Sequence, residues 1–218
     1  MDTTIQSHGD DHAAAKRTRR TEVRAARRER CGGTDGAARR EEEGRAILAH
    51  ASDLLAQVEE RLTSGPAVVS LFHPMPTEPD TLPLARALRA LGDVTVLFPA
   101  ASGGDALDWI AWDGDEDFAA SSGRGFGAEP TGERRGADAL SVADLILAPA
   151  LAVDRSGTRL GHGGGYYDRA LPHRRPGTQV IAIVHPWELL DAGALPRDAH
   201  DVPVDGVLTA AGLVDLRG

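Results

Sequence analysis

Short aliphatic runs at residues 67–72, 94–98, 107–112, 145–147, 180–184 and 204–208 recur along this chain, with segments of helical or loop character between them. No other feature restricts the fold as tightly. Strands that are apolar on successive positions suit a sheet buried on both faces, and strands alternating with helices suit parallel pairing with right-handed crossovers. Ahead of the first run, residues 13–30 are dense in Ala and Arg without Gly or Pro and read as a helix. The stretch CGGTDG at 31–36 stops it. Residues 37–62 read as a second helix, with Ile47, Leu48, Leu54, Leu55 and Val58 near helical spacing, and Ser64-Gly65-Pro66 breaks it. Residues 81–91 read as a short amphipathic helix, and the acidic, glycine-rich stretch 113–136 as a long loop. The expected fold class is α/β: a single domain over residues 13–218, with a mostly parallel central sheet flanked by helices and an N-terminal helical layer. A disordered tail is expected over residues 1–12. No fixed-period repeat or composition break marks a second domain.

The longest apolar run, residues 145–153, has nine residues and contains a proline. A bilayer-spanning helix needs about 20, so no membrane association is expected. The polar, acidic first dozen residues lack the apolar stretch of a secretory signal. Cys31 is the only cysteine, which excludes an internal disulfide and a cysteine zinc cage. These features point to a reducing, cytoplasmic setting, and a monomer is expected. The net charge of −9 argues against a general nucleic-acid binder, but the charge is uneven. Residues 16–40 hold ten basic and three acidic residues, a local +7 that leaves −16 for the remainder. An acidic body with one basic segment suits a small anionic ligand or an anionic partner met at one face. It equally suits a solvated helix in an arginine-rich chain.

The densest local signal is RLGHGGGYYDRAL, residues 159–171, after the apolar run DLILAPALAVD and before a helix-like segment. Gly161, Gly163, Gly164 and Gly165 let the backbone approach a ligand without Cβ clashes. Successive N–H groups in such a turn make a concave anion site. Arg159 adds a mobile positive charge, and Asp168 stands close enough to hold a cation bound to the same phosphates. Neither standard nucleotide motif is present: a Walker loop needs a lysine that is missing here, and Tyr166 occupies the place of the third glycine of a dinucleotide fingerprint. The competing reading of such a loop is a purely structural turn.

The string LAVDRSGTRLGHGGGYYDRAL, residues 151–171, resembles the signature of the 5-formyltetrahydrofolate cyclo-ligase family, also called 5,10-methenyltetrahydrofolate synthetase. Other segments agree in order. Lys16-Arg-Thr-Arg-Arg20 is similar to the family's opening Lys-x-x-Leu-Arg, with Arg19 in the leucine's place. Glu78-Pro-Asp-Thr81 resembles an acidic pair that ends a strand, and Phe126-Gly-Ala-Glu-Pro130 resembles a Gly-x-x-Glu-Pro loop. LPRDAHDVPVDGVLT resembles the closing loop and strand, so the likeness runs from residue 13 to about 209. It implies an enzyme that uses ATP as co-substrate, with Mg²⁺, to close 5-formyltetrahydrofolate to 5,10-methenyltetrahydrofolate with release of ADP and phosphate. Its partners would be these small molecules, with no nucleic acid.

The resemblance also implies roles for residues. Lys16, the only lysine, Arg20 and Arg159 are the implied catalytic cations. Lysine is a compact point charge able to follow a moving phosphoryl group. With Gly161, His162, Gly163, Gly164, Gly165, Tyr166 and Tyr167 they form the implied ATP site. His73, Glu78, His162 and Tyr166 are the implied folate contacts, Glu78 accepting from pterin N–H donors. Asp168 and Asp201 are the implied Mg²⁺ ligands, with Asp205 a rival to Asp201. Asp154 precedes a turn-like Arg-Ser-Gly and is expected to fix the loop. Two departures stand out. His162 and Gly164 occupy slots that relatives often give to Arg or Lys, and Ala100-Ala101 replace an aromatic wall, leaving Phe126 or Trp109 to cover the pterin. A noncatalytic nucleotide- or folate-binding module on the same scaffold is the alternative function. A third reading, a basic-helix interaction protein using residues 16–40, is weakened by the acidic remainder.

Overall fold

The aliphatic runs assemble into one seven-stranded sheet, seen in a computed structural model that describes residues 3–33, 35–114, 118–121, 123 and 127–217, with side chains from residue 11 onward. Helices α1 (Thr3–Cys31), α2 (Gly36–His50) and α3 (Ser52–Leu62) lead into strand β1 (Ala67–Ser70). Helix α4 (Leu82–Ala90) follows, then β2 (Val94–Ala101), β3 (Leu107–Ala111), β4 (Phe118–Ala120) and β5 (Ala128–Pro130). The second half carries β6 (Leu145–Pro149), β7 (Ala152–Asp154), β8 (Arg159–Leu160), α5 (Tyr166–Ala170), β9 (Gln179–Ile183), β10 (Leu189–Leu190), β11 (Gly206–Thr209) and β12 (Gly212–Asp215). The large sheet has the order β12-β11-β9-β6-β1-β2-β3, parallel from β11 to β2 with an antiparallel strand at each edge. This is the α/β architecture the alternation predicts.

Burial follows the two-residue period of the strands. Leu145, Leu147, Ile181, Ile183 and Leu208 face one core with Ile47, Leu54, Val58, Leu84 and Leu88 of the helices. Ile146, Ala148, Val180, Ala182 and Val207 face the other, with Leu140, Tyr167, Ala170 and Leu171. The sheet is therefore covered on both sides, as parallel strands require. Helix α1 packs elsewhere: Val23 meets Leu151, Ala152, Leu160 and Leu195 at a small sheet of β10, β7 and β8. None of the helices among the described residues is long and apolar enough to cross a membrane.

Three expectations need correction. The first helix begins at Thr3, inside the expected tail, running on into the Ala- and Arg-rich stretch from Ala13. The expected second helix is two: buried Ala51 leaves helical geometry (φ −88°, ψ 6°), and its N–H closes back on Leu48 O at 3.1 Å. The expected loop at 113–136 contains the β4–β5 hairpin, anchored where Phe118 packs on Phe98 and Trp112 at ring-centroid distances of 5.1 and 6.0 Å.

His185, after β9, fastens the N-terminal layer to this body. Its Nδ1 lies 2.7 Å from Glu43 Oε1 of α2, its Nε2 3.1 Å from Thr77 O and 3.6 Å from Cys31 Sγ. With an acceptor facing each ring nitrogen, the imidazolium satisfies both. Burial pulls its pKa down, but the Glu43 hydrogen bond and the charges of Glu188 and Glu43 outweigh it and hold the pKa above the usual histidine value. Such a group stabilises the fold fully below the unfolded pKa of about 6.5, and the contribution is lost as pH rises through the folded value. The melting-temperature gap between wild type and His185→Gln is therefore expected to narrow as pH rises above about 6.5. A gap independent of pH would show that His185 is neutral in the fold.

Candidate active site

Strand β1 pairs with β2 on one side and β6 on the other, so the crossovers leaving β1 and β6 diverge and open a crevice at the strand carboxyl ends. That is where open α/β sheets bind ligands. The segment after β1 brings Phe72, His73, Met75 and Glu78 to it, and the segment after β6 brings residues 159–168. Helix α1 closes one side with Lys16, Arg20 and Arg24, and the 198–201 turn closes another. The crevice measures about 1070 Å³, beyond the roughly 300–1,000 Å³ usual for one small ligand.

Lys16 turns inward from α1, its side chain only 9% exposed, with Nζ 2.7 Å from Asp198 Oδ2 and 2.5 Å from Asp201 Oδ2. Burial alone would lower its pKa; the two carboxylates more than compensate and raise it. The same contact, aided by His12 at 3.0 Å, keeps the Asp198 carboxyl below its usual range. The turn carrying both acids is self-locked, since Asp198 N–H donates to Asp201 Oδ2 at 2.8 Å and Asp201 N–H to Asp198 O at 3.1 Å. Asp198 was not anticipated; the signal was its i, i+3 spacing to Asp201 in a turn. Asp205 drops out as a metal ligand, because its Oδ2 accepts Val180 N–H at 2.7 Å at the base of the sheet.

Helix α1 holds the glycine loop by its carbonyls: Arg20 Nε donates to Gly161 O at 2.9 Å and Arg24 Nη2 to His162 O at 2.7 Å. Arg24, one turn beyond Arg20, is a second contact the sequence reading missed. Among the described residues, the N–H groups of Gly161 to Gly165 have no protein acceptor, and all five residues line the cavity. Gly165 sits at φ 67°, in the left-handed region, and a Cβ on Gly164 would fall 2.7 Å from the Tyr166 ring. Side chains at these two positions would strain the turn or displace Tyr166.

Arg159 is not mobile: it is buried on β8 and paired with Asp168 Oδ1 at 2.5 Å, although its Nε has no partner. Burial fixes it because β8 pairs with β7 inside the small sheet. Tyr167 belongs to the core and not to the phosphate loop, stacked edge-on to Trp109 at 6.2 Å with its hydroxyl buried and unpartnered at the cavity wall. Burial pushes its pKa far up, so it stays a neutral phenol. Tyr166 lines the cavity, with the Arg169 guanidinium 5.4 Å from its ring centroid.

On the opposite wall, Glu78 lies in a turn well after β1 and does not end a strand. The break comes after Leu71, whose N–H to Leu97 O is the last hydrogen bond to β2. Glu78 is 3% exposed; Oε1 lies 2.8 Å from His162 Nε2 and Oε2 accepts Met75 N–H at 2.8 Å. Burial raises its pKa, but His162, Met75 N–H and Arg27 together bring it below the usual carboxylate value. His73 packs edge-on to Phe118 at 4.6 Å with Nδ1 buried and unpartnered, and burial pushes its pKa down. Trp109 is fully buried and covers nothing in the cavity; Phe126 lies outside the described residues. Phe72, Met75, Pro99 and Leu107 supply the apolar wall instead. Glu129, from the Glu-Pro segment, is structural, accepting from Ala101 N–H, Ser121 Oγ and Arg134.

A parallel α/β sheet whose switch-point crevice joins fixed cations, carboxylates and an apolar wall defines an α/β enzyme built for anionic small molecules. The comparisons make the class specific. The family model described as the 5-formyltetrahydrofolate cyclo-ligase family matches residues 12–210, and the chain belongs to that family. A 5-formyltetrahydrofolate cyclo-ligase of Mycolicibacterium smegmatis is 41% identical over 155 residues, 68% of this chain and 77% of the relative. The Escherichia coli protein of the same name is 37% identical over 82 residues, 37% of this chain and 44% of that one. Among solved structures, an Aquifex aeolicus 5,10-methenyltetrahydrofolate synthetase superposes with a TM-score of 0.63 at 26% identity, covering 93% of each chain. One from Mycoplasma pneumoniae gives 0.61 at 18% identity, covering 89% of this chain and 98% of that one, and supports the fold alone.

Proposed function

We propose that this enzyme converts 5-formyltetrahydrofolate to 5,10-methenyltetrahydrofolate with consumption of ATP in the presence of Mg²⁺, releasing ADP and phosphate. One observation carries the reading. Residues implied by the resemblance come from widely separated segments, yet Lys16, Arg20, His73, Glu78, Arg159, Gly161, His162, Gly163, Gly164, Gly165, Tyr166, Tyr167, Asp168 and Asp201 all line one cavity. Glu78 and the glycine loop stand on facing walls, joined by the His162 contact.

In this proposal the formyl oxygen receives the terminal phosphoryl group of ATP, N10 attacks the activated carbon, and phosphate leaves. Phosphorylation turns a poor leaving oxygen into a good one, so the protein chiefly orients two substrates and balances charge. The free N–H groups of residues 161–165 bind phosphate oxygens, and Lys16 and Arg20 meet the transferring group from α1. Glu78 accepts from pterin N–H donors, with His73 and Tyr166 beside the ring. The donor set fits the metal: Asp198, His200 and Asp201 place ligand atoms within 4.8 Å of one another, and Asp168 lines the same cavity. Asp168 and Asp201 would hold Mg²⁺, whose chemistry there is to neutralise phosphate charge.

The direct test mixes the purified protein with 5-formyltetrahydrofolate, ATP and Mg²⁺ and follows the absorbance of the methenyl product. The expected result is a rise that requires all three additions and is matched mole for mole by ADP. Binding of both substrates without product would leave the noncatalytic module as the correct reading.

A further inference from the structure

Arg27 does not line the cavity, yet it is the most deeply buried cation of α1, with 2% exposure. Its guanidinium forks onto Glu188, Nε to Oε1 at 2.6 Å and Nη2 to Oε2 at 2.8 Å, while Nη2 also donates to Ala150 O at 2.7 Å. Glu188 is itself fixed, accepting His185 N–H at 3.0 Å. Only Nη1 remains, and it lies 3.6 Å from Glu78 Oε1, the oxygen that also meets His162. A carboxylate this buried needs a compensating charge to stay ionised. His162 is a conditional source, on the cavity side, where a substrate donor would displace it. Arg27 is permanent.

We infer that Arg27 is a positioning residue, clamped by Glu188, that keeps the Glu78 carboxylate charged and aimed into the cavity when a substrate N–H donor replaces His162. The inference rests on the reading of Glu78 as the folate-recognising acid. Besides Arg27 and His162, Glu78 feels His73 from its own loop and Tyr167 from α5, and Arg40 of α2 donates to its backbone carbonyl. Those neighbours keep their residues in the variants, so a difference between Arg27→Lys and wild type reports Arg27, and one in the double variant reports the Arg27–Glu188 pair.

Removing Arg27 alone would strand Glu188 as a buried charge, so the test removes both. Replacing a buried ion pair with apolar residues of similar volume is often tolerated, which makes Arg27→Met/Glu188→Leu the informative protein. Its KM for 5-formyltetrahydrofolate, and the calorimetric Kd, are expected to rise roughly tenfold or more at neutral pH, with the KM for ATP within about twofold of wild type. Without the guanidinium the Glu78 carboxyl protonates more readily, so the folate KM should climb as pH falls while the wild-type profile stays flatter. Arg27→Lys, which keeps the charge but cannot fork, should fall between the two, and it supplies the reading should the double variant not fold. A folate KM and pH profile equal to wild type in Arg27→Lys or in the folded double variant would overturn the inference. Glu78→Gln separates the levels: if it too leaves the folate KM unchanged, the role of Glu78 itself falls.

Discussion

Lys16→Ala is expected to reduce ATP-dependent turnover about a thousandfold, the scale seen when a charge that stabilises a transition state is lost, while circular dichroism remains that of the folded protein. Nζ is the only lysine ammonium in the chain, and it stands between Asp198 and Asp201, one turn before Arg20, which holds the glycine loop. Two carboxylates hold its ammonium in place. On the proposed reading, a nucleotide with its cation would bring phosphate oxygens that compete for the ammonium, and Asp201 would then be free to hold the metal. Lys16→Arg is expected to recover only part of the rate, since a planar fork cannot follow a moving group as a compact ammonium does. The measurement is single-turnover product formation under saturating ATP. A loss below tenfold in Lys16→Ala would move the phosphoryl-contacting role to Arg20 or Arg159.

The sheet was legible because its strands are apolar on consecutive positions, which only a doubly covered sheet tolerates. The glycine loop was legible because no core-filling role calls for Gly161, Gly163, Gly164 and Gly165 in so short a span. What remained hidden depends on tertiary partners. Arg159 reads as a free cation in the sequence, but pairing of β8 with β7 buries it against Asp168. Tyr167 reads as part of the loop, and α5 also turns its ring into the core beside Trp109, although both tyrosines line the cavity. Asp198 offered only its i, i+3 spacing to Asp201, and Arg27 no local signal, since their decisive partners lie 182 and 161 residues away. The β4–β5 hairpin was masked by acidic, glycine-rich composition, although Phe118 marks where it meets the core.

Asp154→Ala is expected to cause the largest loss of stability among single substitutions near the site, about 3–5 kcal/mol. The carboxylate is fully buried; Oδ1 accepts Ser156 N–H at 2.9 Å, Ser156 Oγ at 2.5 Å and Thr158 N–H at 3.2 Å, and Oδ2 accepts Leu195 N–H at 3.1 Å. Alanine would leave Thr158 N–H and Leu195 N–H buried without partners, each unsatisfied group costing about 1–3 kcal/mol, whereas exposed Ser156 can turn to water. For a chain of this length the melting temperature should drop by roughly 6–20 °C. Asp154→Asn retains one acceptor oxygen and is expected to lose about half as much. The effect on activity follows from what the two oxygens join. Oδ1 shapes the turn that leads into Arg159 and the glycine loop, whereas Oδ2 holds the segment that continues to Asp198 and Asp201. Releasing both loosens the phosphate wall and the Lys16 cage together, so the Michaelis constant for ATP should rise several-fold even well below the melting transition. A melting temperature within about 2 °C of wild type would show that the two segments hold their places without Asp154.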